Sequence, residues 1–349
     1  MGKQEFTNKV KRIGVLTSGG DAPGMNAAIR AVVRTAVYRG IEVIGIRRGW
    51  QGLITGDMFP MTTKDVAHII KTGGTILYTA RSEEFRTKEG RQKAYNNCRL
   101  FGLDGLVVIG GDGTFSGALA LSSEFPISVV GIPGTIDNDI GCTNYSIGYD
   151  TAANTAIEAI DKLRDTSQSH ERCSVIEVMG HRAGNLALYV GIATGATAVL
   201  IPEEPWEIER DVIDKIRSAR IAGRTNFMIV VAEGAQPADG TMEETMVFPD
   251  GSGAGYRIGQ LIREHLGLIP RVTILGHVQR GGNPTARDRV NATRMGHHAV
   301  TILAEGKTNR IVVHKEGMLQ DVDMVEGLKE KNKISENENI VVKTMTGVY

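Results

Sequence analysis

Length, composition and charge already limit the kind of protein that this chain can be. Its 349 residues are too many for one compact core and suit two α/β lobes. The 40 Lys and Arg residues balance the 40 Asp and Glu residues, and this zero net charge argues against a protein that binds nucleic acid or a membrane surface. A hydrophobic content of 41% excludes a disordered chain.

The three cysteines, Cys98, Cys142 and Cys173, have no CxxC spacing. Their odd number and wide spacing predict reduced, buried thiols rather than a disulfide framework or a zinc site. The N-terminus lacks the apolar stretch of a signal peptide, and no apolar run reaches the ~18 residues of a membrane span. We therefore expect a cytoplasmic protein.

Apolar runs of strand length alternate with helical patterns along the chain. In chain order, we expect strands over 13–17, 42–46, 106–109, 128–132, 174–178, 227–232 and 272–275, and helices over 25–38, from 114 to 121, over 148–164 and over 183–192. Residues 235–255 predict a long surface loop, and 329–339 an exposed connection. The alternation predicts an α/β fold of two lobes, each a mainly parallel sheet flanked by helices.

Glycine is over-represented, with 43 residues against a usual share of about 7%. The loop SGGDAPGMN at 18–26 follows a strand and opens a helix. Because Gly19 and Gly20 have no Cβ, a phosphoryl group could touch this backbone, where free N–H groups and the helix dipole favour an anion. The alternative is an ordinary turn with Asp21 or Asn26 near the helix cap.

A second glycine loop, GGDGT at 110–114, holds a carboxylate among three glycines. A carboxylate suits a phosphate site only when a cation bridges the two, and Mg²⁺ binds carboxylates and phosphate oxygens together. The glycine spacing is one residue too long for the dinucleotide fingerprint, and no P-loop occurs because position 301 is threonine. The motif is also similar to loops of lipid kinases and NAD kinases.

The segment PGTIDND at 133–139 places Asp137 and Asp139 two positions apart at the end of a predicted strand. Two carboxylates in an apolar neighbourhood are costly if they are only structural. One can accept a proton from a hydroxyl group, and the other can help to hold a cation. The alternative is a polar turn that only solvates itself.

Taken together, the segments TSGGDAPGMNAAIR, VVIGGDGT, PGTIDNDI, DKLRDT, VIEVMG and LGHVQRGG resemble the bacterial 6-phosphofructokinases, and the resemblance extends over about 12–306. It implies transfer of a phosphoryl group from ATP to the 1-hydroxyl of fructose 6-phosphate, with Mg²⁺. It also implies a homotetramer of two-domain subunits. The ATP-binding domain would be 1–147 with 279–322, and the sugar-phosphate domain 148–278 with 323–349.

The resemblance implies a role for individual residues around the nucleotide. Asp137 would be the general base, Thr135 would lie beside the transferred group, and Asp112 with Asp139 would hold Mg²⁺. Arg81 and Arg182 would stabilise charge in the transition state. The nucleotide-binding set would be Gly20, Arg81, Ser82, Gly111, Asp112, Gly113 and Thr114.

The resemblance likewise implies a sugar-phosphate site. Its members would be Thr135, Ile136, Asp137, Arg172, Met179, Gly180, His181, Glu233, Arg271, His277, Val278, Gln279 and Arg280. In the family, the counterparts of Arg172 and Arg271 reach the site of a neighbouring subunit, so that an oligomer completes it. His181 stands where the family has arginine, so Arg182 or a weaker contribution from His181 would replace that charge.

An effector site for ADP or phosphoenolpyruvate is implied in part. Arg30, Arg34, Arg164 and Arg224 match the basic cluster of the family. Four other positions of that cluster depart from it, namely Thr63, Thr197, Ala222 and Asn226. The four arginines could still bind an anion.

Three other functions remain open at this point. A pyrophosphate-dependent relative would carry Asp in place of Gly113 and Lys in place of Gly134, so the two glycines favour ATP. A catalytically silent sugar-phosphate or nucleotide sensor need not keep Asp112, Thr135 and Asp137 together. A nicotinamide oxidoreductase is disfavoured by the glycine spacing.

Overall fold

The structure is a computed structural model that describes residues 6–240, 253–331 and 334–347. Contacts divide the chain into two units. The first comprises Met1–Ile136, Ile140–Thr151 and Arg280–Asn332, and the second Asp137–Asp139, Ala152–Gln279 and Lys333–Tyr349. Which unit binds which ligand stays a prediction.

The described residues form twelve strands. They are β1 (Arg12–Thr17), β2 (Glu42–Ile46), β3 (Met58–Met61), β4 (Gly105–Gly110), β5 (Ser128–Thr135), β6 (Ile147–Gly148), β7 (Cys173–Val178), β8 (Ala198–Leu200), β9 (Phe227–Ala232), β10 (Arg271–Ile274), β11 (Arg310–Lys315) and β12 (Met318–Asp323). β2 and β9 have the predicted bounds, and β5 extends three residues beyond its prediction.

The described residues also form eleven α-helices. They are α1 (Met25–Tyr38), α2 (Gly49–Thr55), α3 (Lys88–Leu100), α4 (Asp112–Glu124), α5 (Tyr149–Ser169), α6 (Asn185–Thr194), α7 (Asp214–Ile221), α8 (Ala254–Leu266), α9 (Ala286–Ala304), α10 (Met324–Lys329) and α11 (Glu336–Gly347). A π-helical turn, Glu209–Ile213, precedes α7. Three short 3-10 turns lie at Ile69–Lys71, Glu84–Arg86 and Gly276–Arg280.

The first unit is built on an eight-stranded sheet with the order β12-β11-β5-β4-β1-β2-β3, and β6 pairs with the end of β5. The neighbours from β11 to β2 are parallel, whereas β12 and β3 are antiparallel at the two edges. Every residue of β4 is buried, as expected for a central parallel strand. Because β1, β4 and β5 run in the same direction, the segments that follow them all lie at the carboxyl ends of the strands.

The second unit is built on a four-stranded sheet in the order β10-β7-β9-β8, in which all neighbours are parallel. α8 packs against β7 and β10, and α6 packs against β8 and β9. The prediction of two mainly parallel α/β sheets is confirmed. α10 belongs to the first unit because Met324 is buried in its core, so this unit extends beyond the predicted boundary at 322.

The predicted surface loop over 235–255 is wrong at both ends. Ala235 is buried, and α8 already begins at Ala254. The reason is a buried carboxylate of β7: Glu177 accepts the Gly255 N–H (2.8 Å) and so caps the first turn of α8. The remainder of the predicted loop, 241–252, lies outside the described residues.

The predicted connection over 329–339 is also too long, because α11 begins at Glu336. Asn339 donates to Glu204 (2.6 Å), which fixes the start of this helix to the second unit. Residues 332–333 lie outside the described part of the chain.

The three cysteines are free and buried. Burial raises the pKa of Cys98 to about 12, so this thiol stays protonated. No helix within the described ranges is both long and apolar enough to cross a lipid bilayer.

The core of the first unit can be tested at Leu106. Leu106→Ala should lower the free energy of unfolding by about 3 kcal/mol, because the fully buried side chain leaves a cavity when truncated. Denaturant titration followed by circular dichroism measures this loss. Leu100→Ala is the matched control, since Leu100 is 78% exposed and its loss should stay below about 0.5 kcal/mol. Equal losses would contradict the placement of Leu106.

Candidate active site

The turn between β1 and α1 is fastened to a neighbouring segment and leaves the helix start without a side-chain cap. α1 begins at Met25, and its N-cap residue is Gly24. Asn26, a candidate cap in the sequence, instead donates to the Gly73 carbonyl (3.0 Å) and accepts from the Ile76 N–H (2.8 Å). The N–H groups at the start of α1 therefore suit an anion, as the glycine loop predicts.

The GGDGT loop lies beside this turn. Asp112 is the first residue of α4, and the N-cap residue Gly111 provides no side-chain hydrogen bond. The Thr114 hydroxyl donates to the Ser18 carbonyl (3.1 Å), which ties the two glycine loops together. Thr114 is thus engaged in holding the loops. A Cβ at Gly113 would have no atom within 4 Å, so the space beside this residue is open.

The position of Asp112 suits a cation ligand. Its side chain is exposed at the start of α4, yet desolvation by the surrounding protein raises its pKa. A cation beside the carboxylate would offset that desolvation and favour the charged form. A Cβ at Gly111 would also meet nothing within 4 Å, so the loop leaves room for a phosphate group next to the carboxylate.

Arg280 lies against the turn that follows β1. Its Nη1 donates to the Asp21 carbonyl (3.3 Å) and lies 2.5 Å from where a Cβ of Gly20 would be. Glycine at position 20 is therefore what lets the guanidinium approach the backbone. The resemblance groups Arg280 with the sugar-phosphate residues, whereas the structure brings it to the loop expected to hold the terminal phosphate of the nucleotide.

Ser82 and Arg81 precede the 3-10 turn at Glu84–Arg86. The Ser82 hydroxyl donates to Gln51 Oε1 (2.7 Å) and accepts from the Phe85 N–H (3.3 Å), so it shapes this turn. The side chain of Arg81 is exposed to solvent.

The end of β5 carries Thr135, whose carbonyl accepts from the Ser146 hydroxyl (2.7 Å). Ile136, which the resemblance assigns to the sugar phosphate, is fully buried, so neither its side chain nor its backbone reaches the surface. A Cβ at Gly134 would lie 3.2 Å from two apolar side chains. Protein therefore fills the space beside Gly134, whereas the space beside Gly113 is open.

Asp137, Asn138 and Asp139 follow in the chain and group with the second unit. Asp137 is buried and Asp139 half-buried. Asn138 has a left-handed φ of 49°, and its carbonyl accepts from the Asn185 side chain (2.9 Å) at the start of α6. Burial of Asp137 suits a group that exchanges a proton with a bound hydroxyl, because it limits access of bulk water.

The loop after β7 is braced by two residues that the resemblance assigns to the sugar phosphate. Glu233 Oε1 accepts the N–H groups of Gly180 (3.2 Å) and His181 (2.7 Å). Gln279, which is fully buried, accepts the Met179 N–H (2.9 Å) through Oε1. These side chains therefore fix the backbone of the loop at the carboxyl end of the sheet.

Four further predicted residues lie near that end and are exposed. They are His181, Arg182, His277 and Val278. His181 has a left-handed φ of 54°, and the 3-10 turn Gly276–Arg280 carries His277 and Val278 directly after β10. Exposed cationic or titratable side chains at the carboxyl ends of parallel strands are typical of α/β ligand sites.

Arg172 and Arg271 lie at the amino ends of the strands of the same sheet. Arg172 directly precedes β7, and Arg271 is the first residue of β10, paired with Ser174. β7 is six residues long, so about 20 Å of strand separates Arg172 from the loop at Met179. Within the same second unit, Arg172 therefore cannot join the residues at the carboxyl ends of the strands, and Arg271 lies about 10 Å before the end of β10.

The predicted effector residues divide between the units. Arg30 and Arg34 lie one turn apart on α1 in the first unit. Arg164 on α5 and Arg224 after α7 belong to the second, and the Arg164 guanidinium donates to the Thr194 carbonyl. One of the four positions that differ from the family's basic cluster is buried. It is Thr197, whose hydroxyl accepts from the Met228 N–H (3.2 Å); the others are Thr63, Ala222 and Asn226.

Comparison with known proteins identifies the family. The model of the family described as Phosphofructokinase matches residues 12–303. The chain belongs to the phosphofructokinase family. This confirms the resemblance drawn from the sequence motifs.

Two phosphofructokinases are similar to the chain over nearly their full length. The ATP-dependent 6-phosphofructokinase 1 of Thermus thermophilus is 52% identical over 326 residues, which are 93% of this chain and 96% of that protein. The ATP-dependent 6-phosphofructokinase of Clostridium tetani is 48% identical over 337 residues, 97% of this chain and 100% of that protein.

A solved phosphofructokinase structure from Saccharomyces cerevisiae matches with a TM-score of 0.84 and 33% identity. The match covers 97% of this chain and 46% of the yeast chain, so this chain spans about half of its length.

The open space in the glycine loop of this phosphofructokinase can be tested by stability. Gly113→Ala should not lower the free energy of unfolding, because the new methyl group meets no protein atom and alanine favours the helix. Gly131→Ala is the matched control and should cost about 1–3 kcal/mol, since its Cβ would lie 2.6 Å from the Phe115 ring. Thermal and denaturant unfolding measure both; equal destabilisation would contradict the open space at Gly113.

Proposed function

We propose that this chain transfers the terminal phosphoryl group of ATP to the 1-hydroxyl of fructose 6-phosphate, giving fructose 1,6-bisphosphate and ADP. The observation that carries the proposal is its similarity, over 96% of the other protein, to an ATP-dependent 6-phosphofructokinase at 52% identity. The glycine loops and carboxylates supply groups that this chemistry needs. The reaction belongs to glycolysis, and we propose that the enzyme acts in the cytoplasm.

ATP is the donor on this proposal, rather than pyrophosphate. The open space at Gly113 supports this choice, because an aspartate there would fill room that the larger donor needs. The start of α1 and the start of α4 carry no side-chain caps, so both can offer backbone N–H groups to phosphate oxygens. Gly20 and Arg280 lie beside them.

Mg²⁺ is the expected metal, and Asp112 would hold it with Asp139 as a second contributor. The open Cβ positions at Gly111 and Gly113 and the exposed, desolvated carboxylate fit a cation shared with phosphate oxygens. Bound Mg²⁺ would neutralise charge on the phosphates.

Asp137 is the general base on this proposal. Its carboxylate takes the proton of the sugar 1-hydroxyl while the hydroxyl oxygen forms a bond to the terminal phosphorus and the bond to the ADP oxygen breaks. The residue is 8% exposed, which supports a role in a water-poor site. Arg81 and Arg182 would balance the charge that develops on the transferred group.

The sugar phosphate would occupy the carboxyl ends of β7, β9 and β10. Glu233 and Gln279 hold the loop of Met179, Gly180 and His181 there. Arg172 and Arg271, at the far edge of the sheet, would serve the site of another subunit in a homotetramer. The residues Arg30, Arg34, Arg164 and Arg224 would bind an anionic effector, ADP or phosphoenolpyruvate.

The base assignment predicts a specific loss of turnover. Asp137→Asn should lower kcat by about 10³-fold and leave the KM values for ATP and fructose 6-phosphate within a few fold, because the amide cannot accept the proton. Coupled release of ADP measures both. The matched control Asp161→Asn, on the exposed face of α5, should retain wild-type kcat.

The same assay tests the reaction itself. Product should form only with ATP, fructose 6-phosphate and Mg²⁺ together, should stop with excess chelator, and should not form when pyrophosphate replaces ATP. A wild-type chain that is active with pyrophosphate alone, or an Asp137→Asn chain with full kcat, would refute the corresponding assignment.

The shared sugar-phosphate site predicts complementation between inactive subunits. Arg271→Ala and Asp137→Asn chains should each have little activity at low fructose 6-phosphate. Mixing them under subunit exchange should restore activity, because some sites then combine an intact Asp137 with an intact Arg271 from another chain. Kinetics before and after exchange measure this recovery. A mixture no more active than the sum of its parts would argue that both residues act within one chain.

A further inference from the structure

The carboxylate of Asp288 is fully buried and is not used by the proposed reaction. Oδ1 accepts the Tyr145 hydroxyl and the Gly148 N–H (2.7 Å). Oδ2 accepts the N–H (2.9 Å) and the hydroxyl (2.5 Å) of Thr151. Burying a carboxylate is costly unless it is fully hydrogen-bonded, so this four-donor arrangement indicates a specific role for Asp288.

The bonds of Asp288 lock together the starts of two helices. Gly148 and Thr151 lie at the N-terminus of α5, whereas Asp288 lies in the first turn of α9. In return, the Thr151 hydroxyl accepts the Thr285 N–H (3.0 Å), and Asp150 accepts the Thr285 hydroxyl (2.6 Å). Asp288 thus caps the start of α5, whereas α9 is capped by its own Thr285, which α5 holds in place; the segment 145–151 is held from several directions.

The segment 145–151 contains β6, and β6 contacts two parts of the proposed phosphoryl-transfer site: the end of β5 and the turn after β1. On one side it pairs with the end of β5, Thr135 opposite Gly148, and the Ser146 hydroxyl donates to the Thr135 carbonyl (2.7 Å). On the other side it packs on the turn after β1. A Cβ at Gly24 would lie 2.6 Å from Ile147, and one at Gly148 would lie 2.6 Å from the Ala22 side chain.

We propose that Asp288 is a positioning residue of the phosphoryl-transfer step, which holds β6 so that Thr135 and the 18–24 turn keep their places. The inference rests on the proposed function. Asp288 itself does not need to touch a substrate: it acts through the backbone of β6. A displacement of about 1 Å at reacting groups costs on the order of 10²-fold in rate, so a brace at this position matters for catalysis.

Asp288→Asn tests the brace with little change in volume. All four groups that face the carboxylate are donors. The hydroxyl groups of Tyr145 and Thr151 can also accept a hydrogen bond, but the N–H groups of Gly148 and Thr151 can only donate. Whichever oxygen the amide nitrogen replaces, one of these N–H groups loses its acceptor and faces another donor. We therefore expect β6 to shift.

The expected result is a selective kinetic change. Per folded enzyme, kcat should fall about 10-fold or more, and the KM for ATP should rise about 5-fold, because the 18–24 turn is expected to bind the phosphates. The KM for fructose 6-phosphate should change less than the KM for ATP, since most of its predicted contacts, Glu233 and His277 among them, lie in the second unit. Loss of folded protein alone would move neither KM value.

Two variants complete the test. Asp321→Asn is the control, because Asp321 is a largely buried acceptor for Arg310 (2.7 Å) at the edge strand β12, away from β6; it should lower the melting temperature and leave both KM values unchanged. Ser146→Ala keeps Asp288 intact and removes the bond to the Thr135 carbonyl, and it should lower kcat about 3-fold or more. This variant keeps the inference testable if Asp288→Asn does not fold.

The outcomes separate this inference from the proposed function. If the wild-type chain does not phosphorylate fructose 6-phosphate, the proposed function fails. If the wild-type chain is active but folded Asp288→Asn and Ser146→Ala both have wild-type kcat and KM values, the positioning role of Asp288 is overturned and the proposed function stands.

Discussion

Strands β1, β4 and β5 pair side by side and run in the same direction, which brings the segments that follow them to one edge of the sheet. The Ser18 N–H donates to the Ile109 carbonyl (3.0 Å), and the Thr114 hydroxyl donates to the Ser18 carbonyl (3.1 Å), so the two glycine loops are joined as well as adjacent. α1 and α4 both begin at this edge without side-chain caps. The N–H groups and dipole of each helix therefore favour an anion, and the proposed nucleotide site depends on these two neighbouring helix starts.

Much of this architecture is predictable because it is local. α1 has the predicted bounds, 25–38, since its apolar residues follow the helical period, and β2 and β9 are short apolar runs between polar turns. The start of α8 is not predictable in this way: Gly253 and Gly255 suggest a loop, and the helix is capped by Glu177 from a distant strand. The same limit applies to Asn26, whose type suggests a cap and whose side chain holds the 72–76 segment instead.

Side chains that the resemblance assigns to ligands are often engaged with backbone in the structure. Glu233 and Gln279 hold the loop after β7, Ser82 shapes a turn, and Thr114 joins two loops. Loops rich in glycine lose more conformational entropy on ordering than other segments, so they need such braces to present N–H groups in one arrangement. Sequence motifs identify the residues but do not distinguish a brace from a contact, because that difference depends on partners far away in the chain. Asp288 is the extreme case, since no motif marks it and its four donors come from 145–151.

The direction of the strands shows where Arg172 and Arg271 lie relative to the other predicted sugar-phosphate residues. Met179, Glu233 and His277 follow β7, β9 and β10, whereas Arg172 precedes β7 and Arg271 starts β10. Pairing of Arg271 with Ser174 fixes both arginines at the amino ends of the strands. Arg172 lies about 20 Å before the end of β7, well beyond the reach of a side chain, and Arg271 lies about 10 Å before the end of β10. Phosphate bound among the loops of one second unit is therefore out of reach of the Arg172 of that unit. If Arg172 binds the sugar phosphate, its charge must be delivered by another copy of the chain, and oligomerisation becomes a requirement of the proposed site rather than an addition to it.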